Sequence, residues 1–337
     1  MNFYRLLSIG QGIRSSRLRY AAALGADVFG VRHLFVRCDP VMACNLRCRM
    51  CHFSDRIYRR EHRGRLLLPE FQRIAGMLLP RALQLVVGCA AEPTLHRDWL
   101  GFVEEGRRHR VPLLGVVSNG QRLFQQQAAA LVEMGVNELT LSIHGVSKQV
   151  YEHWMPGASY EHLLALLQEL KEEKKKRGVR LPSLRLNYTV NADNLEELRD
   201  FFCVFGRFDV ETLQVRPVMP FGGEYRQLLT DQNFILYRKI IGELTAECHR
   251  HGVRLLANLN DPGYRKKDES DAGMESVYRY VSPERVWLPD FDWRKEGYGD
   301  YCRRRRWRRH LLLMAVDGRD KNWDVQGFGT SLKYEVQ

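Results

Sequence analysis

Between residues 31 and 260 the chain alternates strand-like and helix-like runs about six times, and this constrains the fold more than any other feature. Short apolar runs occupy 31–38, 83–87, 111–117, 138–143, 184–190, 211–218 and 253–259. Amphipathic runs at 69–79, 99–109, 123–134, 160–177, 195–202 and 233–251 separate them, the fourth stopped by Gly178. Continuous apolar strands suit a parallel sheet covered on both faces. Right-handed repetition of the strand–helix unit gives an open sheet or a barrel. The polar signals fall at the C-terminal ends of the strands, where a barrel gathers chemistry from several strands at once. The expected fold is α/β: a partial TIM barrel, (β/α)6, over residues 31–260. A basic helical extension, residues 1–30, precedes it, with a helix at 10–28 bearing Arg14, Arg17 and Arg19. A short irregular extension, residues 261–337, is expected to cap the barrel, with 311–316 as one more strand.

The first strand opens into a loop that carries Cys44, Cys48 and Cys51 in a C-x3-C-x2-C interval. Three thiolates this close can grip a metal centre but do not complete a tetrahedral site. On a four-iron cluster they would leave one iron open to an outside ligand. Two plainer readings compete. The cysteines could simply pack, as free cysteine often does, but Asn45, Arg47 and Arg49 lie between them. A zinc site could recruit Cys38, but Cys38 lies on the strand itself, six residues before Cys44, unlike a compact knuckle.

Other strand ends are polar or small. Gly88 lets a ligand approach the backbone closely, and Glu92 in Gly88-Cys89-Ala90-Ala91-Glu92-Pro93 suits an ammonium. Ser118 and Asn119 precede Gly120. Ser142 and His144 project to one side, a rung apart; Ser142 suits a ribose hydroxyl or carboxylate, His144 a proton transfer. Asn187 alternates with apolar neighbours on the fifth strand, as do Gln214 and Arg216 on the sixth. Buried polar groups pointing one way need a polar ligand, and the fork of Arg216 matches a carboxylate or phosphate. A structural ion pair is the plainer role for Arg216. Cys89, Cys203 and Cys248 read as packing residues. Cys302, in the arginine-rich tail, is a candidate hydrogen-atom donor if it faces the pocket.

The net charge of +12, with the run Arg303–Arg309 reading RRRRWRR, favours anionic partners such as phosphates, nucleic acid or a membrane surface. No apolar run is long enough to span a bilayer, so no stable membrane span is expected. Neither a signal peptide nor a disulfide framework is apparent, and a cytoplasmic setting is expected.

Taken together, these residues resemble the radical S-adenosylmethionine (radical SAM) superfamily over roughly residues 31–220. Cys44-Asn45-Leu46-Arg47-Cys48-Arg49-Met50-Cys51 matches its cluster motif, with Met50 in place of the usual aromatic. Gly88 to Pro93 resembles its glycine-glycine-glutamate-proline segment, with Cys89-Ala90-Ala91 as a departure. Ser118-Asn119-Gly120 and Leu141-Ser142-Ile143-His144-Gly145 resemble its third- and fourth-strand runs. The order of motifs is similar to the branch containing the molybdopterin-precursor cyclase and the SPASM-type peptide-modifying enzymes. Only Cys302 follows residue 260, so the auxiliary-cluster cysteines of that branch are missing and no second cluster is expected.

The resemblance implies a [4Fe-4S] cluster on Cys44, Cys48 and Cys51, with S-adenosyl-L-methionine as the second cofactor. Glu92 and its loop would face the methionine amino group, Ser142 the ribose or carboxylate, and Met50 the adenine. It further implies reductive cleavage to a 5′-deoxyadenosyl radical that abstracts hydrogen from a carbon, with reduced flavodoxin or ferredoxin as electron donor. Residues 217–230 and 261–276 are candidate lids. The substrate expected is a small, anionic or phosphorylated metabolite. The alternatives are modification of a peptide, protein or RNA, and a non-catalytic iron–sulfur scaffold.

Overall fold

A computed structural model describes residues 13, 15–219, 223–225, 227–259, 274–317 and 335–336. Its strands are β1 (Leu34–Cys38), β2 (Ala82–Val87), β3 (Leu113–Ser118), β4 (Glu138–Ile143), β5 (Ser183–Val190), β6 (Val210–Pro217), β7 (Arg254–Ala257), β8 (Tyr278–Val281) and β9 (Glu335–Val336). They form one sheet in the order β8-β1-β2-β3-β4-β5-β6-β7-β9. Each pair from β8 to β7 is parallel, and β9 alone runs antiparallel. The β8 and β9 edges do not pair with each other among the described residues, so the sheet is not closed between them.

Alternation sorts the side chains into two environments. Leu34, Val36 and Cys38 of β1, with Leu85 and Val87 of β2, join Phe71, Phe102 and Leu131 in the helix-facing core. The opposite parity faces the lumen and is polar. It includes Arg37 opposite Tyr280, the row Thr140–Arg185–Thr212–Arg254, the row Ser142–Asn187–Gln214, and Thr189 opposite Arg216. A packed barrel would place aliphatic layers there.

The connecting helices follow their end signals. Leu68–Leu78 carries proline in its first turn, and its Glu70 carboxylate accepts the Leu67 N–H at 3.0 Å. Tyr160–Arg177 is N-capped by Ser159 and ended by left-handed Gly178. The expected helix at 195–202 is instead a 3-10 turn, Glu196–Asp200, followed by the short helix Phe201–Phe205.

The C-terminal segment departs from expectation in two ways. Residues 278–281, expected to be irregular, form β8 and extend the sheet beside β1. Residues 311–316, expected as a strand, belong to the helix Trp307–Val316. Its buried Trp307, His310 and Leu311 keep helical spacing, and the helix packs on the N-terminal helix Ser16–Val28. The apolar run alone looks strand-like because periodicity needs the whole helix to show. Arg308 joins the two helices through Asp27 at 2.7 Å.

The arginine run is also less free than its charge suggests. Arg304 pairs with Glu296 and Asp290, Arg305 with Asp290, and Arg303 with Asp300. Among the described residues no helix is long and apolar enough to cross a membrane. Arg14 and residues 261–273 of the second candidate lid lie outside the described residues, as do 220–222 and 226 of the first.

Candidate active site

The cysteine loop is pinned before any cofactor is considered. Its Arg47 and Arg49 N–H groups donate to the carbonyls of Pro156 and Trp154, each at 3.1 Å. The Arg47 guanidinium donates to the Cys44 and Leu46 carbonyls, each at 2.7 Å. Residues 223–225 lie against the same loop: Tyr225 N–H meets the Arg49 carbonyl at 2.9 Å, and Glu224 N–H meets Ser54 Oγ at 3.0 Å. So part of the first candidate lid touches the cysteine loop directly.

Donors already face the sulfurs. Leu46 N–H points at Cys44 Sγ at 3.4 Å, Phe53 N–H at Cys51 Sγ at 3.5 Å, and Asn119 Nδ2 at Cys44 Sγ at 3.7 Å. Burial pushes the Cys44 thiol up to about 12 and raises Cys48 and Cys51; neighbouring thiols raise Cys44 and Cys48 further. The three thiols therefore share one electrostatic environment that a cationic centre would relieve. Among the described residues no three His, Cys, Asp or Glu side chains close on a single metal ion. A four-iron cluster takes one thiolate per iron, so it does not require that convergence. The donor set fits such a cluster: three thiols on a braced loop, with N–H groups aimed at sulfur.

Met50 sits in a small apolar pocket with Trp154 and Val218, and Asn191 Nδ2 approaches its sulfur at 3.1 Å. Gly88 adopts φ +88°, and a Cβ there would stand 2.2 Å from the Val117 carbonyl oxygen. Glu92 is 2% exposed and clamps two strand ends. Its carboxylate accepts from Thr94 Oγ1 at 2.6 Å, Ser118 Oγ at 2.8 Å and Asn119 N–H at 2.8 Å. Burial raises its pKa, and these bonds oppose that. Ser118 and Asn119 are therefore both held by Glu92, and Asn119 also reaches the cysteine loop.

Deeper in the lumen, Arg185 decides which way two amides face. It donates to Asn187 Oδ1 at 3.0 Å and to Gln214 Oε1, and pairs with Glu138 at 3.4 Å. A guanidinium has no acceptor, so both amide oxygens turn toward it and both NH2 groups turn away. Gln214 Nε2 is buried and has no protein partner. Half-buried Ser142 completes that row.

His144 lies near Arg216 above the row; its Nδ1 accepts the Thr189 N–H at 3.4 Å, and the ring also bonds the Ile143 backbone. Burial lowers its pKa to about 4, Arg216 adding to the effect. A ligand here meets the two amides, with the Arg216 guanidinium beside them. Because an unfolded histidine titrates near 6.5, the unfolded chain binds this proton first as pH falls. Stability is expected to decline between about pH 6.5 and 4, by up to about 3 kcal/mol, and His144→Gln to remove that part of the decline in acid melts.

Cys302 is not at this end of the molecule. It lies on the helix Tyr298–Arg304, in the electrostatic company of Tyr298, Arg279, Asp27 and Arg81, behind β8. A different thiol stands at the mouth. Cys89, read as a packing residue, is exposed to the lumen and feels Arg37 and Arg216. Cys203 is exposed too, while Cys248 is buried. Sequence reasoning also passed over Arg37, Asp39, Arg185 and Tyr280. The signal available was parity: Arg37 and Asp39 flank Cys38, which faces the helices.

A parallel α/β sheet with a braced three-thiol loop at the C-terminal end of its first strand, beside a clamped glycine–glutamate turn, is an arrangement that fits an open-sided metal cluster. Residues 40–202 match the model of the Radical SAM superfamily, and this match supports placing the chain there. The cofactors of this family are a [4Fe-4S] cluster and S-adenosylmethionine.

The chain is 25% identical over 195 residues to a GTP 3′,8-cyclase of Peptoclostridium acidaminophilum, covering 57% of this chain and 58% of that one. A probable GTP 3′,8-cyclase of Sulfurisphaera tokodaii is 25% identical over 196 residues, covering 57% and 59%. The chain thus spans less than two thirds of these curated relatives. In fold it is similar to SuiB of Streptococcus suis bound to S-adenosylmethionine, with a TM-score of 0.56 at 14% identity, covering 77% of this chain and 61% of that one.

Proposed function

We propose that the protein is a radical SAM enzyme that acts on a small anionic metabolite, phosphorylated or nucleotide-like. Cys44, Cys48 and Cys51 would hold the cluster, and the loop from Gly88 to Glu92, with Ser118 and Asn119, would hold the methionine end of S-adenosylmethionine. Bound there, the two cofactors would supply one-electron reductive cleavage and hydrogen-atom abstraction from a substrate carbon. The chain's own part is binding, orientation and exclusion of water. Residues 223–225, lying on the cysteine loop, are suited to the last of these.

The observation that carries the choice of substrate is the lumen. Arg37, Arg185, Arg216 and Arg254 come from four strands and share the inward parity, while Asn187 and Gln214 are turned to present N–H groups. Such a wall favours oxygen-rich anions. The likeness to GTP 3′,8-cyclases supports a nucleotide or related phosphate. The ion-paired arginine run offers less support to an RNA or other polyanionic polymer.

The test is anaerobic reconstitution with iron, sulfide, dithionite and S-adenosylmethionine. Formation of 5′-deoxyadenosine is expected, accelerated by small phosphates and nucleotides and not by peptides. Protein that holds only zinc, or releases no 5′-deoxyadenosine, would remove the proposal. Arg185→Met, which frees both amides and leaves Glu138 without this partner, is expected to cost about 2 kcal/mol of stability and to weaken binding of an accelerating phosphate about tenfold. Urea melts and the phosphate concentration dependence measure the two effects.

A further inference from the structure

Asp39 follows β1 immediately and is wholly buried, yet it belongs to none of the motifs above. Its carboxylate accepts the N–H groups of Cys89 at 2.8 Å, Ala90 at 3.0 Å and Ala91 at 3.3 Å. A fourth donor arrives from the far side of β1: the Tyr280 hydroxyl on β8 meets Oδ2 at 2.6 Å. The same loop is tied to the cysteine loop, because Glu92 N–H donates to the Ala43 carbonyl at 2.9 Å. Three successive N–H groups converging on one carboxylate form an anion-binding nest, here filled by the protein's own side chain.

This consumption of N–H groups fixes what the loop can offer a ligand. In a trans peptide the N–H and C=O point in opposite directions. With the N–H groups of Cys89, Ala90 and Ala91 turned onto Asp39, the carbonyls of Gly88, Cys89 and Ala90 must turn away from it. The loop therefore presents acceptors. Without the carboxylate, those N–H groups would be unpaired and the loop would gain by rotating them toward solvent or ligand.

We propose that Asp39, held in place by Tyr280, is a positioning residue that sets the polarity of the 88–91 loop so that its carbonyls receive the ammonium group of S-adenosylmethionine. The inference rests on the proposed function for the ligand, and it makes the C-terminal strand β8 part of the cofactor site. Neither residue touches the cofactor; each acts through the loop backbone.

Two variants and two readouts test it. Tyr280→Phe removes one hydroxyl and keeps the ring, so the fold should persist. Asp39→Asn replaces one acceptor oxygen by an NH2 that opposes the N–H groups. In protein without cluster, amide hydrogen exchange at residues 89–91 is expected to quicken several-fold in Tyr280→Phe and more than about tenfold in Asp39→Asn. In cluster-loaded protein, Tyr280→Phe is expected to weaken S-adenosylmethionine about five- to tenfold while leaving its desamino analogue unchanged. A merely structural role would weaken both ligands alike, and that result would overturn the proposal, as would unchanged exchange at all three amides in both variants. Wild-type protein that binds no S-adenosylmethionine at all would sink the proposed function, and this inference with it. Wild-type binding with equal losses for both ligands would sink this inference alone.

Discussion

Cys48→Ala is expected to leave a folded protein that holds no stable [4Fe-4S] cluster and forms no 5′-deoxyadenosine above background. Cys48 is the middle thiol of the loop, and burial and both other thiols raise its pKa. Its sulfur has value to the protein chiefly as an anion, and only a cationic centre makes that anion affordable in so dry a place. As packing, the thiol is a small apolar group, so the change to alanine should alter stability in the cluster-free state by less than about 1 kcal/mol. The loop keeps its backbone bonds to Trp154 and Pro156, which do not involve the side chain. Disturbing a group behind a ligand already costs about 10–100-fold in metal affinity or activity; losing the ligand itself should exceed the upper figure. Iron and sulfide content, visible absorbance and 5′-deoxyadenosine yield measure the effect. A Cys48→Ala protein with wild-type iron content would show that these thiols are packing residues after all.

Gly88→Ala is expected to be the most damaging small substitution in the motif loop. Gly88 has φ +88°, where a residue with Cβ is strained by about 1–2 kcal/mol. The new methyl would also lie 2.2 Å from the Val117 carbonyl oxygen and 2.9 Å from Pro93 Cγ. The first neighbour is backbone of β3 and the second a ring fixed beside Glu92, so neither can swing aside. The summed cost should be about 3 kcal/mol or more in a urea melt. Relief would require the loop to leave Asp39 and the β3 end, so affinity for S-adenosylmethionine should fall by more than the stability loss alone predicts. An alanine variant within 0.5 kcal/mol of the wild type, the usual range for a featureless surface site, would show that the loop relaxes freely.

Much of the fold was legible because its signals are local. The helix Tyr160–Arg177 carries its cap, its buried leucines and its terminal glycine in one continuous stretch. The strands β2 to β6 are short apolar runs bounded by turns, and parallel burial makes such runs hard to mistake for surface. The cysteine loop was legible for the same reason, since all three thiols lie within eight residues. The tail was not. The run 311–316 is apolar on every side for long enough to look like a strand, and only its packing on Ser16–Val28 shows the helix. Strand β8 is four residues long and follows a polar stretch, so nothing nearby marks it as the neighbour of β1.

The candidate site divides along the same line. Residue types and intervals by themselves determined the class of chemistry: three thiols in a loop, a glycine–glutamate turn, and polar residues at strand ends. Tertiary structure decided how those groups are held. Asp39 and Tyr280 are 241 residues apart and meet because β8 runs beside β1. Arg185 reaches Glu138 and Gln214 because β5 lies between β4 and β6. Cys302, one thiol among several in the sequence, is set behind β8, while Cys89 opens on the lumen. The physical reason is the range of the interactions. Covalent neighbours fix spacing and local conformation. The direction of a hydrogen bond and the company of a buried charge depend on which strand the sheet places alongside.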